Sequence, residues 1–540
     1  MPLLDWGPRI EYTGFQEDEL PDRETPAMPF LLLLLLTLAC LPDPQDRTHP
    51  PDWLGDRGSM VVTWASMIAV AAIAWGASWR LRRRLAADPS CREEVLRRYA
   101  SARFCNVILL FIAFGLDLFA FGWGYVASEP LAKEMPAWLP VIEVLILAPF
   151  LAGLILSWAI FYEMERALHA SNGPEEDARP FWTRRTYVWF HIRQNAAIVF
   201  VPVLLLIMVK NVPRLLPEGS ERWQEIAAVL APVGVLAVMP WILRITLGLR
   251  PLPDGELKDR LEAASRRLSF RCNGIMLWNT RSGVANALMV GVLPFLRYVV
   301  LSDRLIAEMT PDEVEAVFGH EVGHVKHRHM IYFMGFLMVS VAAVLAVLDV
   351  VVPSIWTSNG PDSWFRLTAH RDLAMLPMVV LLGTYIFVVF GFVSRRCERQ
   401  ADIYGCRTVS CGQPDCSGHE GAVLQPGARG LCGTGIRTFI SALEKVARLN
   451  GISRDKPGWF QSWQHSTIAR RVDFLQSVLV EPAVEQRFQR RVMILKWALF
   501  VGLGALFLLF TFVLHRQMAD ESRELQGAQA VSLRSLGARS

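Results

Sequence analysis

Blocks of apolar residues long enough to cross a lipid bilayer recur along this chain, and they constrain its fold more than any other feature. A helical span takes about 20 residues, since each adds about 1.5 Å across a hydrocarbon core about 30 Å thick. Eight blocks qualify: 60–79, 104–127, 138–162, 187–209, 226–248, 331–352, 373–393 and 492–514. The fourth is the least clean, with His191, Arg193, Gln194 and Asn195 in its first half. These blocks dominate the composition, which is 52% apolar and 20% charged over 540 residues. A mainly α integral membrane protein with about eight transmembrane helices is expected.

The first 59 residues read differently. Residues 1–27 are polar and acidic, which suits a disordered segment. The leucine-rich run 30–41 is too short for a comfortable span. It resembles the apolar core of a signal peptide starting at Met28, but no basic residues precede it there. Cys40 follows Thr-Leu-Ala, a poor match to a lipoprotein cleavage site. Residues 1–59 are therefore expected to be a variable, disordered N-terminal region.

Loop charge sets the orientation. The loop 80–103 carries eight arginines and 163–195 carries five, whereas the alternate loops 128–137, 210–225 and 353–372 carry one to three basic residues each. Basic loops stay in the cytoplasm. Both long polar stretches, 250–330 and 394–491, then also face the cytoplasm. Asp117, Glu143, Arg193 and Asp349 lie within the spans, where ionisable groups are costly. They either line a hydrated chamber inside the bundle or pair between helices. The net charge of +4 is too small to point to nucleic acid.

The chemistry is concentrated in the polar stretches. From Thr310 the chain reads Thr-Pro-Asp-Glu-Val-Glu-Ala-Val-Phe-Gly-His-Glu-Val-Gly-His. Thr310 and Glu313 predict a capping box, and Pro311 suits the first helical position. Val314, Val317, Phe318, Val322 and Val325 recur at helical spacing, which predicts one buried stripe. His320 and His324, four apart, share a helix face and can chelate one zinc ion, with Glu321 beside them as general base. Zinc lowers the pKa of bound water toward about 7, and the carboxylate takes the proton. A charged face on a surface helix is the plain alternative.

A catalytic zinc ion needs a third protein ligand and an open position. The best candidate segment follows the seventh block: Ser394-Arg395-Arg396-Cys397-Glu398-Arg399-Gln400-Ala401-Asp402. If the helix continues, Glu398 and Asp402 share a face. Glu398 could then ligate the metal and Asp402 orient a ligand histidine from behind. An ordinary membrane-edge helix would carry similar charges.

The order H-E-x-x-H, two spans, then S-R-x-x-E-x-x-A-D resembles the HtpX-type and type 1 CaaX prenyl endopeptidases, membrane zinc metalloproteases of the gluzincin class. The resemblance covers roughly residues 250–475. It implies a split α+β, zincin-like protease domain on the cytoplasmic side, with His320, His324 and Glu398 as metal ligands. Asn286-Ala287 resembles a cleft strand of the family, which implies that Asn286 holds substrate backbone. Tyr298 to Asp303 resembles the next strand, so a small sheet is expected near 284–303. His465 and Arg471 resemble a downstream His-Pro…Arg motif that steadies the oxyanion, although Ser466 stands where the family has proline. His327, His329 and His419 are other candidate ligands, and the resemblance favours Glu398 over them.

The resemblance does not explain one insert. Cys406, Cys411, Cys416, His419 and Cys432 lie in a stretch, 406–432, rich in Gly and Pro. Disulfides are unfavourable in the cytoplasm, so a second, structural zinc held by four of these five groups is one reading. Reduced, unliganded thiols are the other.

The expected organisation is an N-terminal region 1–59, a five-helix membrane region 60–248 and a first catalytic half 249–330. A membrane hairpin 331–393, a second catalytic half 394–490, a C-terminal span 491–514 and a tail 515–540 follow. The expected function is zinc-dependent endoproteolysis of membrane-associated proteins or peptides, with no nucleic-acid partner. Processing of lipidated C-termini, or a sensor-transducer with a cytoplasmic protease domain, are the alternatives.

Overall fold

The computed structural model describes residues 47–131, 141–171, 181–196, 237–281, 283–336, 384–411, 430–450 and 465–537, with a few isolated positions that include Cys416. Within these, four helices are long and apolar enough to cross a membrane: Gly55–Ala87, Glu94–Phe119, Val141–Ala170 and Ala483–Leu509. They match the first, second, third and eighth expected spans. Most of 187–209, 331–352 and 373–393 lies outside the described residues, as do Asp349 and residues 1–46; of 226–248, the segment Ala237–Thr246 is an apolar helix too short to count among the four.

Three of these helices pack together: α1 (Gly55–Ala87), α2 (Arg92–Phe119) and α4 (Val141–Ala170), with the short α3 (Trp123–Ser128) wedged among them. Met67 and Val70 of α1, Leu110 and Phe114 of α2, and Ile146 and Phe150 of α4 form one buried cluster. Two polar pairs join helices inside it. Ser66 donates to Asp117 at 2.8 Å, and the Asn106 amide donates to Ser157 at 2.9 Å. Further on, Arg193 of α5 (Arg184–Asn195) donates to the backbone carbonyls of Ile245 and Thr246.

Two boundaries differ from expectation. The second span stops at Phe119 rather than 127, because Gly122 takes φ 70° and turns the chain. A side chain at Gly122 would collide with the backbone of His49 and Pro50, so the turn requires glycine. That contact also belongs to an ordered segment: Arg47 and Thr48 are buried, so the disordered N-terminal region expected to reach residue 59 does not extend that far. At the other end, the expected polar tail is helix, since the last element runs Ala483–Gly537.

The polar stretches build a mixed unit. A four-stranded sheet has the order β1-β2-β4-β3, with β1 Arg250–Pro251, β2 Gly274–Trp278, β3 Ala287–Val290 and β4 Tyr298–Ser302. It is wider than the two strands expected from 284–303. β2 and β4 are parallel, while β1 and β3 are antiparallel to their neighbours. Among the described residues β3 has no strand on its outer edge. Helix α6 (Glu256–Arg267) and helix α8 (Pro311–Lys326), which follows the short α7 (Asp303–Glu308), close over the sheet. Leu261 and Ala264, Val299 and Leu301, and Val314, Phe318 and Val322 share that core. Helices α9 (Gly391–Thr408), α10 (Gly433–Leu449) and α11 (Ile468–Val480) complete the unit, and α12 (Ala483–Gly537) leaves it. Exposed Trp497, Val501 and Leu508 on α12 suit contact with lipid.

Candidate metal centre

Helix α8 is anchored at its start. Thr310 and Glu313 form the capping box, and the Glu313 carboxylate also accepts hydrogen bonds from Ser441 and Lys445 of α10, each at 2.7 Å. Two residues on, the buried Glu315 is held by Arg260 and Arg267 of α6. These bonds set the azimuth of the helix, and so the direction of the face carrying His320 and His324.

The close approach of α9 to that face depends on glycine. A Cβ at Gly319 would lie 2.2 Å from Thr408 Oγ1, and one at Gly323 would lie 3.1 Å from the Ala401 Cα. Glycine at both places lets the helix backbones meet, and Glu398 thereby reaches the histidines. His320 Nε2 is 3.3 Å from His324 Nε2 and 3.7 Å from Glu398 Oε2, and His324 Nε2 is 3.5 Å from Glu398 Oε1. Zinc bonds of about 2.0–2.2 Å at tetrahedral angles put neighbouring ligand atoms about 3.3–3.6 Å apart. The two imidazoles meet different oxygens of Glu398, and the three ligand atoms lie within 4.8 Å of one another, a triangle near the size of one face of a zinc tetrahedron. Its chemistry fits too: burial holds His324 at a pKa of about 4, a neutral ligand, although Glu398 works the other way. Burial also acts to raise the Glu398 pKa, but His465, His324 and His320 around it hold it well below the usual carboxylate range.

A further ring of contacts fixes these side chains. Asp402 Oδ1 is 3.0 Å from His320 Nδ1. Burial opposes charge on His320, yet Asp402 raises its pKa overall. Arg471 of α11 grips Asp402 with Nε at 2.9 Å and a second bond from Nη2. Burial disfavours the Asp402 carboxylate, and Arg471 and His320 outweigh it and lower its pKa. Phe439 of α10 stacks on the His320 ring at 5.8 Å. Arg471 lies 4.0 Å from Glu398 but directs its bonds to Asp402.

His324 has its own support, which the sequence showed only in part. His329 Nδ1 lies 3.1 Å from His324 Nδ1, and its Nε2 lies 3.1 Å from Gln400 Oε1. The same Gln400 oxygen accepts from Lys496 of α12 at 2.8 Å. If His324 offers Nε2 to a metal, its Nδ1–H donates to His329, whose Nε2–H donates to Gln400. One tautomer chain satisfies every contact. His329 thus stands behind a ligand, and His327 stacks on it at 5.6 Å outside the ligand triangle. Gln400 sits in the quoted S-R-x-x-E segment but carries no motif, and Lys496 reads only as a charge in an apolar block.

Glu321 lies beside the triangle and against the sheet. It takes a backbone hydrogen bond from Met289 of β3, and burial raises its pKa, with His320 opposing. Asn286 O accepts from Ser302 N–H at 3.0 Å, and Leu288 pairs with Val300. Antiparallel alternation then turns the polar groups of Ala287 and Met289 toward the open edge. Asn286 is exposed at the start of that strand. Asn450, at the end of α10, fixes the same corner with two hydrogen bonds to the Ala285 backbone.

His465 is 60% exposed, with Nδ1 3.0 Å from Glu398 Oε2, and that carboxylate raises its pKa. The next residue, Ser466, takes φ 68°, which proline, fixed near −65°, does not adopt. The serine is thus matched to a different turn from a His-Pro one. Of the cysteine-rich group, Cys411, Cys416 and Cys432 come together. Cys406 does not: it is buried with Ala316, Ile436 and Phe439 in an apolar cluster. His419 lies outside the described residues.

Residues 251–477, which hold every ligand candidate, match the profile of Peptidase family M48. This region is similar to peptidase family M48. M48 is a metalloprotease family, so the metal-sized triangle has the expected context. A CAAX prenyl protease 1 homolog of Arabidopsis thaliana is 27% identical over 286 residues, covering 50% of this chain and 64% of its own. A Protease HtpX homolog of Pyrobaculum islandicum is 28% identical over 214 residues, covering 38% and 58%. The chain thus spans less than two thirds of the length of these relatives. A crystal structure of S. mikatae Ste24p aligns with 77% of this chain and 98% of its own at 17% identity and a TM-score of 0.45.

Proposed function

We propose that the chain is a membrane-embedded, zinc-dependent endopeptidase whose metal ligands are His320, His324 and Glu398. The ligand triangle, sized for zinc and flanked by Glu321, carries this reading. A zinc ion held there supplies the Lewis acidity that polarises a peptide carbonyl and acidifies water. Glu321, with its pKa raised by burial, accepts a proton from the attacking water and later delivers it to the leaving amine. The peptide backbone adds to the open edge of β3, which needs little side-chain specificity, and Asn286 helps hold it. His465, exposed beside Glu398, donates to the developing oxyanion. Arg471, tied to Asp402, acts on the same charge at longer range and keeps Asp402 in place behind His320.

The arginine-rich loops support a cytoplasmic catalytic unit, split into 249–330 and 394–490 by the segment 331–393. Membrane-associated proteins or peptides are the substrates that suit this setting, and lipidated C-termini are a narrower alternative within it. Purified protein is assayed on casein and on prenylated and unprenylated peptides, with and without chelator. Glu321→Gln is expected to retain one zinc at the triangle and lose cleavage by about 10²–10⁴-fold. Retained cleavage in that variant removes Glu321 from its role, and preference for the prenylated peptide selects the narrower substrate class.

A further inference from the structure

We propose that Cys411, Cys416 and Cys432 form a second metal site, a thiolate zinc clip that joins the end of α9 to the start of α10. It is separate from the catalytic triangle and does not depend on the protease reading.

The three sulfur atoms lie within 4.8 Å of one another, although 20 residues separate Cys411 from Cys432 in sequence. With Zn–S bonds of about 2.3 Å, tetrahedral geometry sets sulfurs about 3.8 Å apart, so a small contraction closes the site. Soft thiolates select zinc over hard cations such as Mg²⁺ or Ca²⁺. Three thiolates leave one tetrahedral position for a further donor.

Hydrogen-bond donors face two of the sulfurs. Cys432 caps the N-terminus of α10, and its Sγ accepts the Gly435 N–H at 3.3 Å. Cys416 Sγ lies 3.5 Å from Thr434 Oγ1, whose hydroxyl also meets the Arg437 guanidinium at 3.3 Å. Backbone bonds to sulfur are the outer-shell support that metal-bound thiolates use.

The position gives the clip a task. α9 carries Glu398 and Asp402, while α10 carries Phe439, stacked on His320, and Lys445, bonded to Glu313. The two helix ends already touch: Ser410 Oγ donates to Cys406 O at 2.8 Å and accepts Cys432 N–H at 3.2 Å. A metal across the three sulfurs would close the 20-residue excursion and hold both helices in register with α8.

Full-length protein in detergent, purified under reducing conditions, is analysed for zinc and then exchanged with Co²⁺. The expected result is a sulfur-to-cobalt charge-transfer band and, with the triangle of the proposed function also filled, two zinc ions per chain. A His320→Ala/His324→Ala variant should hold one ion and keep the band. A Cys416→Ser/Cys432→Ser variant should hold one ion, lose the band and unfold at a lower temperature. One zinc per chain with no thiolate band in the wild type overturns the proposal, and so does a disulfide among these cysteines in reduced protein. The wild-type spectrum decides even if a variant fails to fold.

Discussion

Gly319→Ala tests whether helix packing, rather than the ligands alone, makes the metal centre. In a helix interior this change ordinarily stabilises by about 1 kcal/mol, because alanine loses less backbone freedom on folding. Here the new methyl would sit 2.2 Å from Thr408 Oγ1 and 2.5 Å from Thr408 Cβ, against the 3.4 Å of ordinary contact. The shortfall of about 1.2 Å cannot be absorbed by a side-chain tip. Thr408 is β-branched, and its hydroxyl is bonded to Tyr404 O at 2.9 Å. The helices must therefore part, and α9 takes Glu398 with it. Metal–ligand distances tolerate about 0.2 Å, so even partial separation spoils the site. Overpacking of this kind costs about 1–3 kcal/mol, which corresponds to a loss of zinc affinity of about 5- to 150-fold. The assay is zinc competition against a chromophoric chelator, with thermal unfolding alongside. Thr408→Gly removes all three colliding atoms, so the double variant should recover most of the affinity. A Gly319→Ala protein that binds zinc as well as wild type, or is more stable, refutes the argument.

Ser466→Gly should stabilise by about 1 kcal/mol, because it relieves a left-handed residue, whereas Ser466→Pro should displace His465 and cut turnover; cleavage rates and thermal midpoints read both. Burial, with Lys496 adding to it, lowers the His329 pKa to about 2, below its unfolded value of about 6.5. The unfolded chain then binds the extra proton below pH 6.5, so this contribution is complete above that pH and is lost as pH falls from 6.5 toward 2. His329→Asn should flatten the acid side of the thermal midpoint of chelator-treated protein, by at most about 1.4 kcal/mol per pH unit, and an unchanged slope counts against a buried neutral His329. A membrane-impermeant maleimide should label Cys91, in the arginine-rich loop, only after cells are permeabilised, and labelling of intact cells reverses the orientation.

What could be read from the sequence was local or periodic. The capping box, the apolar stripe of α8 and the i, i+4 histidines follow from helix geometry alone, and the same geometry put Glu398 and Asp402 on one face. Four spans were legible because length and hydropathy suffice. The end of the second span was not, because it depends on Gly122 fitting against His49 and Pro50, a contact across 72 residues. Gly319 and Gly323 were unremarkable letters until α9 lay against them. Arg471 was singled out for charge on the reacting carbonyl, yet its bonds go to Asp402, and no one-dimensional pattern shows how a guanidinium divides its donors. Lys496 could not be tied to Gln400 before the fold brought α12 alongside α9.

The proposed ligand set is spread along the polypeptide in an order that matters while it is being made. The two imidazoles leave the ribosome first, the carboxylate more than seventy residues later, and Phe439, His465 and Arg471 later still. A nascent chain holds an incomplete cage through most of its synthesis. On the proposed protease reading, the chain is thereby disarmed during insertion, when its own unfolded segments would be the nearest peptides to cut.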